Sequence, residues 1–176
     1  MKKVGIKADK IDFMKGHNTM NKTLIVYYSL FQNTANLALE IAIQTDGALR
    51  ELIPDKNYSF DYNTAAKEVR NQISRGFCPK LLSGGESTVE YQTIFIGTPN
   101  WFKTLAPPVL SFLRQHDFTD KTIIPFCTHG GGGFGQIVND IAKECTKSLI
   151  LPGIAVNGTA LPEEVTNWLE TIGYEL

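Results

Sequence analysis

Apolar and polar residues alternate along the chain in two rhythms, and these rhythms predict its secondary structure. Residues 23–28 form a near-continuous apolar run, typical of a strand buried on both faces, and further strands are predicted at residues 48–53, 92–97, 121–128 and 148–156. Segments with apolar residues at helical spacing occupy residues 33–45, 63–75, 105–113, 136–145 and 163–172. Five strands alternating with five helices predict an α/β fold, a three-layer α/β/α sandwich around a parallel sheet.

Prolines and polar stretches modify this pattern. Pro125 and Pro152 fall inside the fourth and fifth predicted strands, so we expect a bulge or an interrupted ladder there, because proline lacks the amide hydrogen. Pro107 and Pro108 fall in the first turn of the third helix, where a missing amide does no harm. Residues 55–62, and the Gly/Pro/Ser-rich stretch from Gly76 through 84–85, are predicted as loops.

The first twenty residues differ from the rest. They hold five lysines and two aspartates, a local net charge of +3, so the remaining residues sum to -4. No continuous apolar run follows the basic start, which makes this a poor signal peptide. An appended segment, a start misassigned before Met20 and a genuine basic arm remain open. We therefore predict an extension or tag at 1–20 and one domain at 21–176.

Composition narrows the classes of function. A net charge of -1 suggests neither nucleic acid nor an anionic membrane surface as a partner. The three cysteines (Cys78, Cys127 and Cys145) lack metal-type spacing, so we expect buried, reduced thiols and a cytoplasmic location.

Three unusual loops follow predicted strands, at the sheet edge where ligands bind in such folds. The first, 28–36, offers Ser29, Asn33, Thr34 and consecutive amides at a helix start, which suit a phosphate. The same residue types are preferred by any helix N-cap, so on this loop alone a plain cap is the stronger interpretation. The P-loop pattern is absent.

The second loop, 97–108, places Trp101 and Phe102 directly after a strand end. Two large aromatic residues in a loop could stack on a flat aromatic ligand. They could equally fold back into the core or meet a partner subunit.

The third loop matches G-x-G-x-x-G at Gly130, Gly132 and Gly135. It fails as a dinucleotide fingerprint because it follows the fourth strand and no acidic residue stands about twenty positions later. A flexible loop with a chance match is the alternative. Taken together, a phosphate cradle, an aromatic wall and a glycine-rich wall suit a flat ring with a single phosphate tail, such as flavin mononucleotide (FMN).

The motifs that carry a family resemblance are "YS...NT" at 28–34, "IFIGTPNWFKTLAPPVLSFL" at 94–113, "KTIIPFCTHGGGGFG" at 121–135 and the terminal "VTNWLETIGY". With them the chain resembles a bacterial flavodoxin, which implies the strand order 2-1-3-4-5 and non-covalent FMN. The resemblance places the phosphate at Ser29, Gln32, Asn33 and Thr34. It places one side of the flavin ring at Thr98, Pro99, Asn100, Trp101 and Phe102. It places the other ring edge at backbone groups of Thr128, His129, Gly130 and Gly131.

One departure from the family concerns the phosphate loop, which usually reads S-x-[ST]-G-N-T. Phe31 and Gln32 stand where a small hydroxyl residue and a glycine belong. Binding could therefore survive through the amides and the helix dipole, or be lost. His129 stands where a small residue is more usual, and a solvent-exposed histidine is the preferred interpretation over one that donates to the flavin.

The resemblance implies an FMN-dependent redox protein. Electron-carrier flavodoxins are typically strongly acidic, so the weak charge of this chain favours a reductase of quinone-like acceptors with NAD(P)H as donor. The partner is then either a redox protein or a small electron acceptor, and the oligomeric state stays open. The alternative is a flavodoxin-like domain that has lost FMN and serves as an interaction module.

Overall fold

The computed structural model describes residues 22–83 and 86–175, so the predictions for 1–20 and for the glycine pair at 84–85 lie outside the described residues. Its helices are α1 (Asn33–Thr45), α2 (Tyr62–Ser74), α3 (Pro107–Gln115), α4 (Ile137–Glu144) and α5 (Pro162–Thr171). Its strands are β1 (Lys22–Tyr27), β2 (Ala48–Glu51), β3 (Ile53–Pro54), β4 (Leu81–Ser83), β5 (Tyr91–Pro99), β6 (Thr122–His129), β7 (Leu149–Ile150) and β8 (Ile154–Asn157). The five predicted helices are confirmed, with ends that move by at most two residues.

The main sheet is parallel and has the order β2-β1-β5-β6-β7, with β8 also paired to β6. Counted by position, this is the predicted order 2-1-3-4-5, and the α/β/α fold class is confirmed. The central strand β5 runs two residues beyond the predicted end, so Thr98 and Pro99 belong to the strand. Similarly, β6 extends through His129.

The fifth position of the sheet is split, as the prolines predicted. β7 pairs with Thr122 and Ile123 of β6, and β8 resumes the pairing at Phe126. The gap between them lies opposite Pro125 and includes Pro152, so one interruption accommodates both residues that lack an amide hydrogen. On its other side, β6 pairs with β5 through Pro125 without a register shift, so no bulge forms there.

The prediction of a single second strand over 48–53 was wrong, and so was the all-loop prediction for the stretch after Gly76. The second parallel strand ends at Glu51, and β3 pairs antiparallel with β4 in a separate two-stranded sheet. The predicted polar loop at 55–62 also contains a core residue. Tyr58 is buried, and its hydroxyl donates to Gln72 Oε1 at 2.6 Å.

Strand side chains alternate between two buried faces, which explains the near-continuous apolar runs. Leu24, Val26 and Ile96 pack with the inner faces of α2, α3 and α4. Ile25 and Phe95 pack on the opposite side with α1 and α5. Burial on both faces is the expected consequence of a parallel sheet covered by helices.

Candidate functional site

A cavity of about 510 Å³ opens at the carboxyl edge of the main sheet. That volume lies within the range of small-molecule sites. Its walls come from the loops after β1, β5, β6 and β8 and from one face of α2. The lining residues are Leu30, Phe31, Asn33, Tyr62, Ala65, Ala66, Val69, Pro99, Asn100, Trp101, Phe102, Thr128, His129, Gly130, Asn157 and Gly158.

The three loops singled out in the sequence therefore do converge. Eight of the thirteen predicted site residues line the cavity, namely Asn33, Pro99, Asn100, Trp101, Phe102, Thr128, His129 and Gly130. The other five, Ser29, Gln32, Thr34, Thr98 and Gly131, lie beside it without lining it.

Two of those five have hydroxyl groups that are already used inside the protein. Thr98 is fully buried, and its Oγ1 accepts from the amide of Ala106 at 3.0 Å and donates to the carbonyl of Pro99 at 2.9 Å. Thr34 is 1% exposed, and its Oγ1 lies 2.8 Å from Thr128 Oγ1. This hydrogen bond joins the start of α1 to the end of β6.

The start of α1 keeps the backbone shape of a glycine turn although a glutamine stands there. Gln32, the N-cap, has φ 66 and ψ -12, in the left-handed region. A residue with a Cβ adopts this region at a cost of roughly 1–2 kcal/mol relative to the right-handed region. Gln32 is exposed. The family pattern has glycine here, so the substitution preserves the turn geometry.

The amides at this helix start have no capping partner among the described residues. The first intrahelical bond runs from the amide of Asn36 to the carbonyl of Gln32 at 2.9 Å. The amides of residues 32–35 consequently have no acceptor within the helix. No side chain caps α1, and its first turn contains no acidic residue. Donors and the positive end of the helix dipole are thus presented beside the cavity.

Trp101 forms the aromatic wall in company with two tyrosines. Its ring meets Tyr28 at 5.4 Å and Tyr58 at 5.2 Å between centroids, both nearly perpendicular, and the two tyrosines meet at 5.9 Å. Edge-to-face packing of this kind is favourable beyond the area it buries. Trp101 therefore both packs on buried residues and lines the cavity, which combines the two alternatives raised by the sequence.

A tight turn presents Phe102 at the cavity mouth. Trp101 and Thr104 exchange two backbone hydrogen bonds, at 3.2 and 3.1 Å. The central residues Phe102 and Lys103 both have positive φ, 55 and 68, as in a type I′ turn. Phe102 is held in this turn and is 42% exposed.

Asn100 joins this turn to the glycine-rich loop. Its backbone amide donates to the carbonyl of Thr128 at 2.8 Å, and its side-chain Nδ2 donates to the carbonyl of Gly133 at 2.6 Å. Its Oδ1 accepts from the amide of Lys103 at 2.9 Å. A single side chain thus links the loops after β5 and β6, two of the four loops that line the cavity.

Gly135 of the third loop packs tightly against the same turn. Gly135 has φ 56, and a Cβ on it would lie 2.7 Å from the carbonyl oxygen of Lys103. The adjoining amide of Gln136 donates to that carbonyl at 2.6 Å. The N-cap amide of α4 is therefore bound by the neighbouring loop.

His129 folds onto its own loop. Its Nδ1 accepts from the amide of Gly131 at 2.9 Å, and the residue is half-buried at the cavity wall. The neutral ring then carries its hydrogen on Nε2.

Sequence comparison identifies the family. A family model for flavodoxin matches residues 22–172, which is most of the chain. The chain belongs to the flavodoxin family. Among curated protein sequences, none matches it.

Solved structures agree with this assignment. A candidate flavoprotein from Bacteroides uniformis ATCC 8492 is 30% identical, with a TM-score of 0.78, over 85% of this chain and 98% of that chain. A candidate flavoprotein from Bacteroides eggerthii DSM 20697 is 23% identical, with a TM-score of 0.77, over 88% and 99%. A flavoprotein from Lactobacillus acidophilus NCFM, solved in complex with FMN, is 21% identical, with a TM-score of 0.68, over 84% and 98%.

The cavity of this flavodoxin carries almost no charge. None of its lining residues is Asp, Glu, Lys or Arg. Burial raises the pKa of both Tyr28 and Tyr58 far above that of a free phenol, so the tyrosines behind Trp101 stay neutral. Burial also raises the pKa of the Cys127 thiol to about 12, which makes it a poor nucleophile.

Sequence reasoning missed three groups of cavity residues. Leu30 and Phe31 belong to the first loop, Tyr62, Ala65, Ala66 and Val69 come from α2, and Asn157 and Gly158 lie at the end of β8 and directly after it. The Asn-Gly pair had a usable signal, because it follows the fifth strand and must reach the same sheet edge. The α2 residues gave none, since apolar spacing marks them only as a helix face.

Other kinds of site are not indicated in the part of the chain that the structure describes. Residues 22–83 and 86–175 contain no group of three or more His, Cys, Asp or Glu able to hold a metal ion. None of the helices described is long and apolar enough to span a bilayer. Cys127 and Cys145 are buried free thiols, as predicted, whereas Cys78 is only half-buried.

Proposed function

We propose that this flavodoxin-family protein binds FMN non-covalently in the cavity and transfers electrons through it. The observation that carries the proposal is the meeting, at one edge of the sheet, of an uncapped helix start and an uncharged cavity with aromatic walls. The proposal includes the predicted cytoplasmic location.

The residues present fit such a group. A phosphate needs donors and positive potential, and the amides of residues 32–35 offer both with no acidic side chain in the first turn. A flat apolar ring needs aromatic and apolar walls, which Trp101, Pro99 and the α2 face provide. Bound FMN would supply the electron-transfer chemistry, and the protein would supply binding, polarity and access.

Each part of the chain then has a defined task. The helix start holds the phosphate through backbone donors. Trp101, braced by Tyr28 and Tyr58, keeps one wall rigid. Asn100 holds the facing loop at a fixed distance, so that the cavity exists before any ligand enters. This arrangement limits the conformational entropy lost on binding.

The replaced residues in the phosphate loop are compatible with binding. Gln32 retains the left-handed turn, so the amides that follow it keep their direction. Phe31 is 48% exposed and lines the cavity, where it adds apolar surface near the mouth. What the loop lacks is the one hydroxyl donor that the family pattern has at the position of Phe31, which predicts weaker rather than absent binding.

At the finer level, we infer a reductase of quinone-like acceptors that uses NAD(P)H, in preference to a carrier that docks on a basic protein. A net charge of -4 over residues 21–176 offers little electrostatic steering toward a basic partner. Three aromatic residues at the mouth, Phe31, Tyr62 and Phe102, are exposed and suit the stacking of a small flat compound.

The test starts from the visible spectrum of the protein purified without added cofactor, repeated after incubation with FMN and desalting. Flavin bands that persist, with FMN rather than FAD released on denaturation, are the expected result. A colourless protein that takes up no FMN would instead favour an interaction module that has lost the cofactor.

Trp101 supplies the matched variants. Trp101→Ala should weaken FMN binding about tenfold and shift the flavin bands, because it removes a wall and loosens the two tyrosines behind it. Trp101→Phe should retain most of the affinity. Unchanged affinity and spectrum in Trp101→Ala would exclude Trp101 from the site.

A further inference from the structure

A second cavity lies along α2, beside the first. Its volume is about 620 Å³, and it lies between the outer side of α2 and the turn that carries Phe102. Tyr62, Ala66 and Phe102 line both cavities, so the two are adjacent. We call this second cavity the α2 groove; its charged lining residues are Lys67 and Arg70.

The α2 groove is basic in a domain that is otherwise acidic. Lys67 and Arg70 lie in it, and its lining includes no Asp or Glu. Neither cation forms an ion pair with any residue that the structure describes. By contrast, the acidic residue Glu68 of α2 is paired with Lys56, which lies before the helix. Two unneutralised cations in a concave surface raise the local concentration of anions.

The arginine is held at the border between the two cavities. Its guanidinium carbon lies 4.7 Å from the centroid of the Phe102 ring. Because Phe102 is fixed by the left-handed turn at φ 55, the pair holds a cation next to an exposed aromatic face. An anionic group in the groove and an aromatic ring at the mouth could therefore belong to one molecule.

We propose that the α2 groove binds the anionic group of a small aromatic redox compound, whose ring lies at the cavity mouth between Tyr62 and Phe102. This proposal rests on the proposed function, because the compound would exchange electrons with FMN bound in the adjoining cavity. Two sources share this chemistry: the phosphates of a nicotinamide dinucleotide, and the acidic substituent of a quinone.

The experiment measures binding rather than turnover. The full-length protein, its FMN content determined by absorbance, is titrated calorimetrically with NADP⁺ and separately with anthraquinone-2-sulfonate, at low and high salt. The test variant is Lys67→Gln/Arg70→Gln. The control is Lys80→Gln/Lys147→Gln, which removes the same charge at exposed positions outside the groove.

The expected result is that at least one of the two compounds binds, and that the test variant weakens it about tenfold while the control changes it less than twofold. Added salt should weaken binding to the original protein more than to the test variant. The compound that responds identifies the source of the anionic group.

Absence of binding by both compounds, or equal binding by the test variant and the control, would overturn the proposal. FMN retention separates this outcome from failure of the proposed function. A variant that retains FMN but loses the anion response locates the effect in the groove. A protein without FMN whose NADP⁺ binding still depends on Lys67 and Arg70 would retain the groove and lose the redox role.

Discussion

The starts of α1 and α2 border the same cavity and are built in opposite ways. Both helices have 13 residues. The N-cap of α2 is Asp61, whose Oδ1 accepts from the backbone amide and the hydroxyl of Thr64 at 2.9 and 2.6 Å. The N-cap of α1 is Gln32, which is in the left-handed region and makes no side-chain cap. α2 is thus capped by its own side chain, whereas the first amides of α1 stay available for the phosphate that the proposed function requires; α3 and α4 also lack a side-chain cap, so position beside the cavity distinguishes α1.

The largest effect is expected from a negative charge at the bare helix start. Asn33→Asp should weaken FMN binding on the order of 100-fold, since the new carboxylate would repel the phosphate. The same change should raise the free energy of unfolding by a few tenths of a kcal/mol through the helix dipole. Flavin fluorescence titration and chemical denaturation measure the two effects.

Asn63→Asp, in the first turn of α2, is the matched control for that substitution. It should leave FMN affinity unchanged. Equal loss of affinity in both variants would mean that the phosphate is not held at α1.

The next effect concerns a buried hydroxyl pair. Thr34→Val should lower the free energy of unfolding by about 1–2 kcal/mol, because the hydroxyl of Thr128 would lose its buried partner. Thr64→Val, which removes an exposed hydroxyl bond at the start of α2, should cost clearly less. Urea denaturation compares the two, and equal losses would show that the α1 attachment contributes no more than the α2 surface bond.

A smaller effect is expected at the strained turn. Gln32→Gly should raise the free energy of unfolding by about 0.5 kcal/mol, since relief of the left-handed strain exceeds the entropy cost of glycine. FMN affinity should stay within about threefold, because the amides keep their positions.

Gln136, the N-cap of α4, offers a control with the same residue type and φ -99. Gln136→Gly should bring no gain in stability. A gain there equal to that of Gln32→Gly would remove strain as the explanation.

The smallest effect is a pH dependence at the capped helix. The hydrogen bonds from Thr64 lower the pKa of Asp61 below its ordinary value. A carboxyl with a depressed folded pKa stabilises the fold above its unfolded pKa and loses that contribution as pH falls through the folded pKa. The stability difference between the original protein and Asp61→Ala should therefore be present at pH 7 and shrink in acid. Denaturation between pH 3 and pH 7 checks this, and a difference constant over that range would contradict it.

Much of the fold and part of the site could be predicted from local patterns. The prolines show the limit of such local patterns. Pro125 and Pro152 each predicted an irregularity, but only the strand pairing shows that both meet at one gap, the one between β7 and β8. The Trp101–Phe102 pair predicted an aromatic wall. The tyrosines that pack against Trp101, Tyr28 and Tyr58, could not be predicted in the same way because they lie far away in sequence.

The sequence by itself determined the alternation of strands and helices, the parallel sheet and the three loops at its ligand-binding edge. It could do so because hydrophobic period and turn chemistry are local properties of the chain. Only the tertiary structure decided that the hydroxyls of Thr34 and Thr98 form hydrogen bonds within the protein. It also decided that Asn100 links two loops and that α2 forms a wall of the cavity. The bonds of Thr34 to Thr128 and of Asn100 to Gly133 join residues distant in sequence, so their partners meet only once the sheet has brought the strand ends together. Those of Thr98 are local, but they depend on the path of the loop after β5.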